Sequence, residues 1–232
     1  MKEETAKELL KKVEEDYTKI ASEFDQTRKW LWPEFDFFKK YIKKDQKILD
    51  VGCGNGRLSE LFKDVDYIGI DNSKRFIEIA QKNYTSSKFV CDNLINFQSP
   101  YHADLIFSIA AFHHIPSTSL RKKSIQNLHN NLKSEGVLIL TVWNLFQRRY
   151  IKYVLKAIIK YIVSFGKYDW NDTFIPWGKS GVNRYYHAFV PGELKRIFKN
   201  NGFEILEMFY TRKGKKVSFL NSHNICLVCK KK

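Results

Sequence analysis

Cysteine, acidic residues and long apolar runs are all scarce in this chain. Only four cysteines occur among its 232 residues, too few and too scattered for the disulfide framework of a small secreted domain. The amino terminus has no apolar signal-peptide core, and no stretch reaches the roughly 18–20 apolar residues of a membrane span. These absences predict a soluble, cytoplasmic protein.

The shortage of acidic residues leaves the chain strongly basic. It has 40 Lys and Arg against 25 Asp and Glu, which gives a formal net charge of +15. This excess favours a polyanionic partner, either a nucleic acid or an anionic membrane surface, although a solvated lysine-rich surface is the simpler alternative. Hydrophobic residues make up 44% of the chain, enough for a sizeable core, which excludes global disorder.

Short apolar runs alternate with amphipathic segments, a pattern typical of proteins with a parallel sheet. The predicted strands are 47–51, 66–71, 88–91, 104–109, 137–142, 203–210 and 223–229; the predicted helices include 3–24, one that begins near Ser117 or Thr118, and 193–200. This order predicts an α/β fold: a Rossmann-like, doubly wound, mostly parallel seven-stranded sheet with a C-terminal antiparallel hairpin and helices on both faces.

We expect a single domain over 1–232 with four consecutive parts. These are an N-terminal helical cap (1–45), a cofactor-binding core (46–143), a basic-aromatic insert (144–190) and a C-terminal helix and hairpin (191–232). The insert is predicted to contain one helix and a loop rich in Trp, Gly and Asn.

The most specific local pattern is a glycine loop, Asp50-Val-Gly52-Cys-Gly54-Asn-Gly56, directly after the first strand. Glycines let the backbone approach a ligand closely, and a helix is expected to follow and present its N-terminal N–H groups. A dinucleotide fingerprint would place its third glycine at position 57, which is Arg57 here, so a pyrophosphate ligand is not favoured. Asp71 ends the next strand, where a carboxylate accepts ribose hydroxyls, and Asp92 follows the third strand, where it suits an adenine amine.

This spacing resembles the class I S-adenosylmethionine-dependent methyltransferases. The resemblance implies that Gly52, Gly54 and Gly56 line the methionine part, that Asp71 binds the ribose and that Asp92 and Asn93 adjoin the adenine. The expected S-adenosyl-L-methionine site is completed by Gln26, Arg28, Asp50, Asn55, Asn72 and Ile109.

Other segments are more particular to one family. Gln26-Thr-Arg28 ahead of Trp32-Pro33, the pair His113-His114, Pro176-Trp177, and Arg184-Tyr-Tyr-His187 resemble the tRNA methyltransferases that esterify 5-carboxymethyluridine at the wobble position. The resemblance implies a tRNA anticodon loop as partner. Eukaryotic relatives also need a small activator subunit, which leaves such a partner open here.

A carboxylate acceptor is already ionised and needs no strong base, so alignment should dominate catalysis. Arg28, His114 and Arg184 are therefore predicted to hold the acceptor carboxylate, with Tyr185 and His187 beside them. Arg28 could instead bind the carboxylate of the cofactor. Each residue also has a plainer interpretation: one of the two histidines could lie in the core, Arg184 could form a surface ion pair, and the tyrosines could pack on the sheet.

Three basic regions have no role in this site. Residues 148–163 predict an amphipathic helix that either covers the active site or contacts a partner or membrane surface. The turn 212–216 and the tail 230–232 are candidate phosphate contacts. No metal site is predicted, because Cys226 and Cys229 lack further ligands and positions three apart on a strand face opposite sides. A small-molecule or lipid-like O-methyltransferase and a non-catalytic binding domain stay open as alternatives.

Overall fold

The computed structural model describes residues 1–28, 30–165 and 167–232. The strands are β1 (Lys47–Val51), β2 (Asp66–Asp71), β3 (Lys88–Cys91), β4 (Ala103–Ile109), β5 (Leu132–Trp143), β6 (Asp172–Pro176), β7 (Asn183–His187), β8 (Phe203–Arg212), β9 (Lys215–Lys216) and β10 (Asn224–Lys231). The helices are α1 (Glu3–Thr27), α2 (Lys74–Asn83), α3 (Thr118–Asn130), α4 (Ile151–Val163) and α5 (Pro191–Lys199).

The central sheet has the strand order β3-β2-β1-β4-β5-β10-β8-β9. The first five strands of this order pair in parallel, and β10 lies antiparallel between β5 and β8. The predicted α/β class and the antiparallel C-terminal pair are therefore confirmed. The sheet has eight strands rather than seven, because the turn at Lys213 and Gly214 brings the two residues of β9 back onto the end of β8.

Helical segments cover both faces of the sheet, and the buried side chains form two large clusters. On one face, α3 and α5 pack against strand residues such as Leu49 and Val51. On the other, α2 and the 3-10 turns at Pro33–Phe37 and Arg57–Leu61 pack against residues such as Ile48. Cys226 and Cys229 lie in different clusters, so they face opposite sides of the sheet as expected.

Two local predictions are wrong. The glycine loop is followed by the 3-10 turn Arg57–Leu61 and not by an α-helix, because the connection from Gly56 to β2 is short and Gly56 enters it with a φ of 79°. The segment predicted as a loop within the insert forms an antiparallel hairpin of β6 and β7, which is separate from the central sheet.

Parallel pairing brings the carboxyl ends of β1, β2, β4 and β5 to one edge of the sheet. Helix α1 and the β6–β7 hairpin lie across this edge, and Tyr17 of α1 is hydrogen-bonded to His114 just after β4. A cavity is enclosed between them. None of the helices in the described ranges is long and apolar enough to cross a membrane.

Candidate active site

The cavity at the carboxyl edge of the sheet holds most of the residues predicted to form the site. Its empty volume is about 1120 Å³, which includes its open mouth. Of the predicted residues, those that line it are Arg28, Asp50, Gly52, Gly54, Asn55, Asp71, Asn72, Asn93, Ile109, His114 and Arg184. Residues from six separate parts of the sequence thus converge on one space.

The glycine loop approaches the cavity with its backbone. Gly52 has a φ of 85°, and a Cβ there would lie 2.3 Å from the Cβ of Ala111, so no other residue fits. The Gly54 N–H donates to Asp71 Oδ2 at 2.9 Å. Gly56 lies beneath the loop and outside the lining, where a Cβ would meet Ala80 and the Phe89 ring at 2.8 Å. Its small size serves packing.

Two buried carboxylates face the cavity from the ends of β1 and β2. Burial raises the pKa of Asp71 to about 6, although the N–H groups of Ser73 and Gly54 donate to its carboxylate and oppose the rise. Burial likewise raises the pKa of Asp50 to about 7, opposed by the Tyr67 hydroxyl, which donates to Oδ2 at 3.0 Å. A buried carboxylate at the cavity wall suits hydroxyl donors such as those of a ribose.

Two arginines adjoin the glycine loop, and the sequence analysis assigned a role only to the first, Arg28. The Arg57 guanidinium donates to the Trp30 carbonyl at 3.4 Å and lies 4.6 Å from the Trp32 ring centroid. Burial lowers the pKa of Arg57 to about 10. Burial also lowers the pKa of Arg28, and repulsion from Arg184 lowers it further. The missed signal was the position of Arg57, which follows the last glycine of the loop directly.

The acceptor end of the cavity is built around Arg184 on β7. Its side chain is 5% exposed, and its guanidinium lies 4.6 Å from the ring centroid of Trp177 and 5.2 Å from that of Tyr186. Burial acts to lower the pKa of Arg184, yet the phenols of Tyr186 and Tyr17 outweigh it and raise that pKa above its usual value. The group is therefore a permanent cation.

Arg184 is a buried cation that the described part of the chain leaves without a counter-ion. Within the described ranges, no carboxylate forms an ion pair with it, and its buried Nε has no hydrogen-bond partner. The buried hydroxyl of Tyr186, which also lines the cavity, is unpartnered too. An uncompensated buried charge is costly, and buried donors normally find acceptors. This end of the cavity is thus suited to an anion.

His114 lines the same end but differs from the expected carboxylate-binding donor. Its Nδ1 lies 2.8 Å from the Tyr185 carbonyl, which only accepts, so Nδ1 carries the hydrogen. Nε2 then accepts from the Tyr17 hydroxyl at 2.7 Å. Burial lowers the pKa of His114 to about 3, which keeps the ring neutral. Both ring nitrogens are engaged, and the histidine positions Tyr17. His113 is buried in the wall behind it.

Tyr185 and His187 point away from the cavity. The Tyr185 hydroxyl donates to Asp172 Oδ1 at 2.7 Å. His187 contacts the same oxygen through Nδ1 and Glu193 Oε1 through Nε2, both at 2.9 Å. The two side chains therefore join the β6–β7 hairpin to α5, and neither reaches the acceptor end.

Gln26 and Asp92 also lie outside the cavity lining. Gln26 is exposed. The Asp92 carboxylate accepts from the backbone N–H groups of Asn93 at 2.7 Å and Gln98 at 3.3 Å, so it organises the loop after β3. Of this pair of predicted adenine neighbours, Asn93 alone lines the cavity.

The fold and this cavity are those of the class I methyltransferases. Comparisons with known proteins agree. Residues 24–208 match the family model described as methyltransferase domain. Solved structures of S-adenosylmethionine-dependent methyltransferases share the fold. One from Methanosarcina mazei has a TM-score of 0.67 at 21% identity and covers 84% of this chain and 96% of its own. One from Clostridium acetobutylicum has a TM-score of 0.62 at 18% identity and covers 92% and 98%.

The chain belongs to the methyltransferase domain family, which confirms the predicted enzyme class. The tRNA (carboxymethyluridine(34)-5-O)-methyltransferase of Schizosaccharomyces pombe is 28% identical to it, over 86% of this chain and 92% of that protein. The Xenopus tropicalis enzyme of the same name is 29% identical over 78% of this chain. Its match with this chain covers only 36% of that longer protein.

Proposed function

We propose that this methyltransferase transfers a methyl group from S-adenosylmethionine to the carboxylate of 5-carboxymethyluridine at the tRNA wobble position, forming the methyl ester. The observation that carries the proposal is Arg184, a buried cation at the cavity wall that has no counter-ion among the described residues. The names of the relatives and the net charge of +15 support a tRNA acceptor. A cytoplasmic location and an activator subunit stay predictions.

The residues at the other end of the cavity fit the cofactor. When bound, S-adenosylmethionine supplies an electrophilic methyl group on a sulfonium sulfur. Asp71 is placed to accept from ribose hydroxyls, and the backbone of Gly52 and Gly54 lines the part of the cavity proposed for the methionine. Arg28 and Arg57 provide cations beside this loop for the carboxylate of the methionine.

The chain contributes to the transfer by binding and alignment. Arg184 would neutralise the acceptor carboxylate and, through its Nε, could hold one oxygen and leave the other free to react. No proton must be removed from an ionised carboxylate, which agrees with a His114 that is neutral and fully hydrogen-bonded. The rings of Trp143 and Tyr186 form a wall that excludes water and offers faces for a splayed base.

The test is the variant Arg184→Ala with tritiated cofactor and bulk tRNA. We expect kcat/KM for tRNA to fall by about 100-fold, the usual effect of removing one buried transition-state donor, while the Kd of the cofactor changes by less than about twofold. Arg75→Ala, at an exposed ion pair on α2, is the control and should transfer normally.

Mild alkali identifies the product, because methyl esters saponify. Label that alkali releases from tRNA supports a carboxyl acceptor, and label that survives would overturn it. If Arg184→Ala weakened cofactor binding as much as it lowered kcat/KM for tRNA, Arg184 would bind the cofactor and not the acceptor. Label recovered only in organic-extractable material would instead favour the small-molecule or lipid-like acceptor.

A further inference from the structure

Helix α4 has an apolar stripe that no part of the described chain covers. Val154 and Ala157 are buried on the side of α4 that packs against the β6–β7 hairpin. The adjacent stripe faces solvent: Ile159 is 63% exposed, Ile162 is 67% exposed, and Phe165 just beyond the helix is 98% exposed. Leu155, Ile158 and Val163 extend the same stripe. A contiguous exposed apolar surface of this kind marks an interaction site.

The sequence segment that contains this stripe carries positive charge only. No Asp or Glu occurs between positions 136 and 168. The same segment contains six cationic residues: Arg148, Arg149, Lys152, Lys156, Lys160 and Lys167. Lys152 and Lys156 are exposed beside the stripe. Within the described ranges, none of these six cations forms an ion pair. The stripe therefore needs an occupant that is apolar at its centre and anionic at its margin.

We propose that α4 docks on the surface of an anionic phospholipid bilayer, with its axis parallel to the membrane plane. An apolar stripe flanked by lysines is the pattern by which helices insert at the headgroup boundary. The aromatic side chains of Tyr161 and Phe165 at the end of the helix suit the same boundary. A second copy of the chain fits worse, because it would bring the same cations face to face.

Docking would place the active site close to the lipid surface. Val154 belongs to the same buried cluster as Tyr186, and Tyr150, which precedes the helix, stacks on Trp143 at 5.9 Å. Both Tyr186 and Trp143 line the acceptor end of the cavity. The bilayer surface and the acceptor end therefore lie on two sides of one packed layer. The proposal does not depend on which acceptor is methylated.

Flotation of the full chain with vesicles tests this inference. Vesicles of phosphatidylcholine alone are compared with vesicles that also contain phosphatidylglycerol. We expect binding to the anionic vesicles, weakened by salt. The variant Ile159→Glu/Ile162→Glu should lower the partition coefficient by about tenfold or more, since it removes two apolar anchors and adds two negative charges.

The matched control is Leu206→Glu/Leu220→Glu, which makes the same chemical change at two exposed leucines on β8 and the turn before β10. It should float like the original chain, and both variants should keep their cofactor affinity and Tm. Failure of the original chain to float, or equal loss in both variants, would overturn the proposal. So would sedimentation that shows a dimer of the original chain and a monomer of the α4 variant.

Discussion

The alternation of side chains along β7 sorts the Arg184-Tyr185-Tyr186-His187 segment into two roles. Successive residues of a strand face opposite sides, so Arg184 and Tyr186 line the cavity while Tyr185 and His187 bond to Asp172 behind it. The sequence alone places Arg184, Tyr185 and His187 in one catalytic group, because the strand is not evident from its local pattern. Had β7 been predicted, the period of two would have separated them.

Substitutions of the adjacent residues Tyr185 and Tyr186 test this division into cavity-lining and structural side chains. Tyr185→Phe should lower the free energy of unfolding by about 1–2 kcal/mol, because it removes a buried hydrogen bond to a carboxylate, and should leave methyl transfer within about twofold. Tyr186→Phe removes a hydroxyl without a partner. It should leave stability almost unchanged but lower transfer by about tenfold, the worth of one hydrogen bond to the acceptor. Urea unfolding and single-turnover transfer measure the two effects. The reverse pattern would contradict the assignment.

The raised pKa of Asp71 predicts how the affinity for the cofactor depends on pH. Its pKa is raised to about 6 in the free protein, and the ionised form is the one that accepts from both ribose hydroxyls. Affinity should therefore be nearly full above about pH 7 and should fall up to tenfold per unit as pH drops below about 6. Calorimetry between pH 5 and 8 checks this.

Asp50 lies nearby and has a pKa raised to about 7, so a control must separate the two groups. The decline centred near pH 6 should persist in Asp50→Asn and vanish in Asp71→Asn. A Kd that stays constant from pH 5 to 8 in the original chain would remove Asp71 from the binding step.

At the scale of elements, the turn after β1 depends on close approach between backbones. Gly52→Ala would place a Cβ 2.3 Å from the Ala111 Cβ at a φ of 85°. We expect the free energy of unfolding to fall by about 2 kcal/mol or more and cofactor binding to weaken with it. Gly192→Ala is the control, because no atom lies within 4 Å of its added Cβ and it sits in the first turn of α5. It should raise stability by up to about 1 kcal/mol. Equal destabilisation would show that crowding at Gly52 is not the cause.

The elements that the sequence predicts best are those whose side chains are apolar on both faces. The bounds of β1, β2 and β3 match the prediction. β1 and β2 are buried apolar runs stopped by glycine or a polar residue, whereas β3 is an edge strand on which only Phe89 is buried. Strands β6 and β7 escaped prediction because both begin with a polar residue, Asp172 and Asn183, and lack the apolar run of β1 and β2. Their stability comes from contacts of β6 with α4 and of β7 with α1, which no local pattern reveals.

The residues of the candidate site also differ in how well the sequence predicts them. The glycine loop and Asp71 follow from spacing along the chain, because both lie at strand ends. Arg57 and the neutral state of His114 depend on burial and on partners distant in sequence, Trp32 for one and Tyr17 for the other. A sequence pattern cannot supply those partners before the fold is known.

At the scale of the whole molecule, the basic turn 212–216 and the basic tail 230–232 lie at opposite edges of the sheet. Because β10 is antiparallel to both of its neighbours, β8 runs parallel to β5, and its carboxyl end lies at the cavity edge. Arg212 faces Lys215 across β8 and β9, two exposed cations without an ion pair in the described ranges. The tail lies at the far edge, where Lys230 pairs with Glu135 at 2.6 Å and Lys231 donates to two backbone carbonyls.

This arrangement predicts which cations bind the tRNA backbone. Arg212→Ala/Lys215→Ala should weaken tRNA binding and reduce the slope of log Kd against log salt by about 1.5, the effect of losing two phosphate contacts. Lys230→Ala/Lys232→Ala removes the same formal charge at the far edge and should leave the slope nearly unchanged. Filter binding across 50–200 mM salt, a range wide enough to resolve such slopes, measures both. If the two variants changed the slope equally, the net charge alone would attract the tRNA, and the position of the cavity edge would not matter.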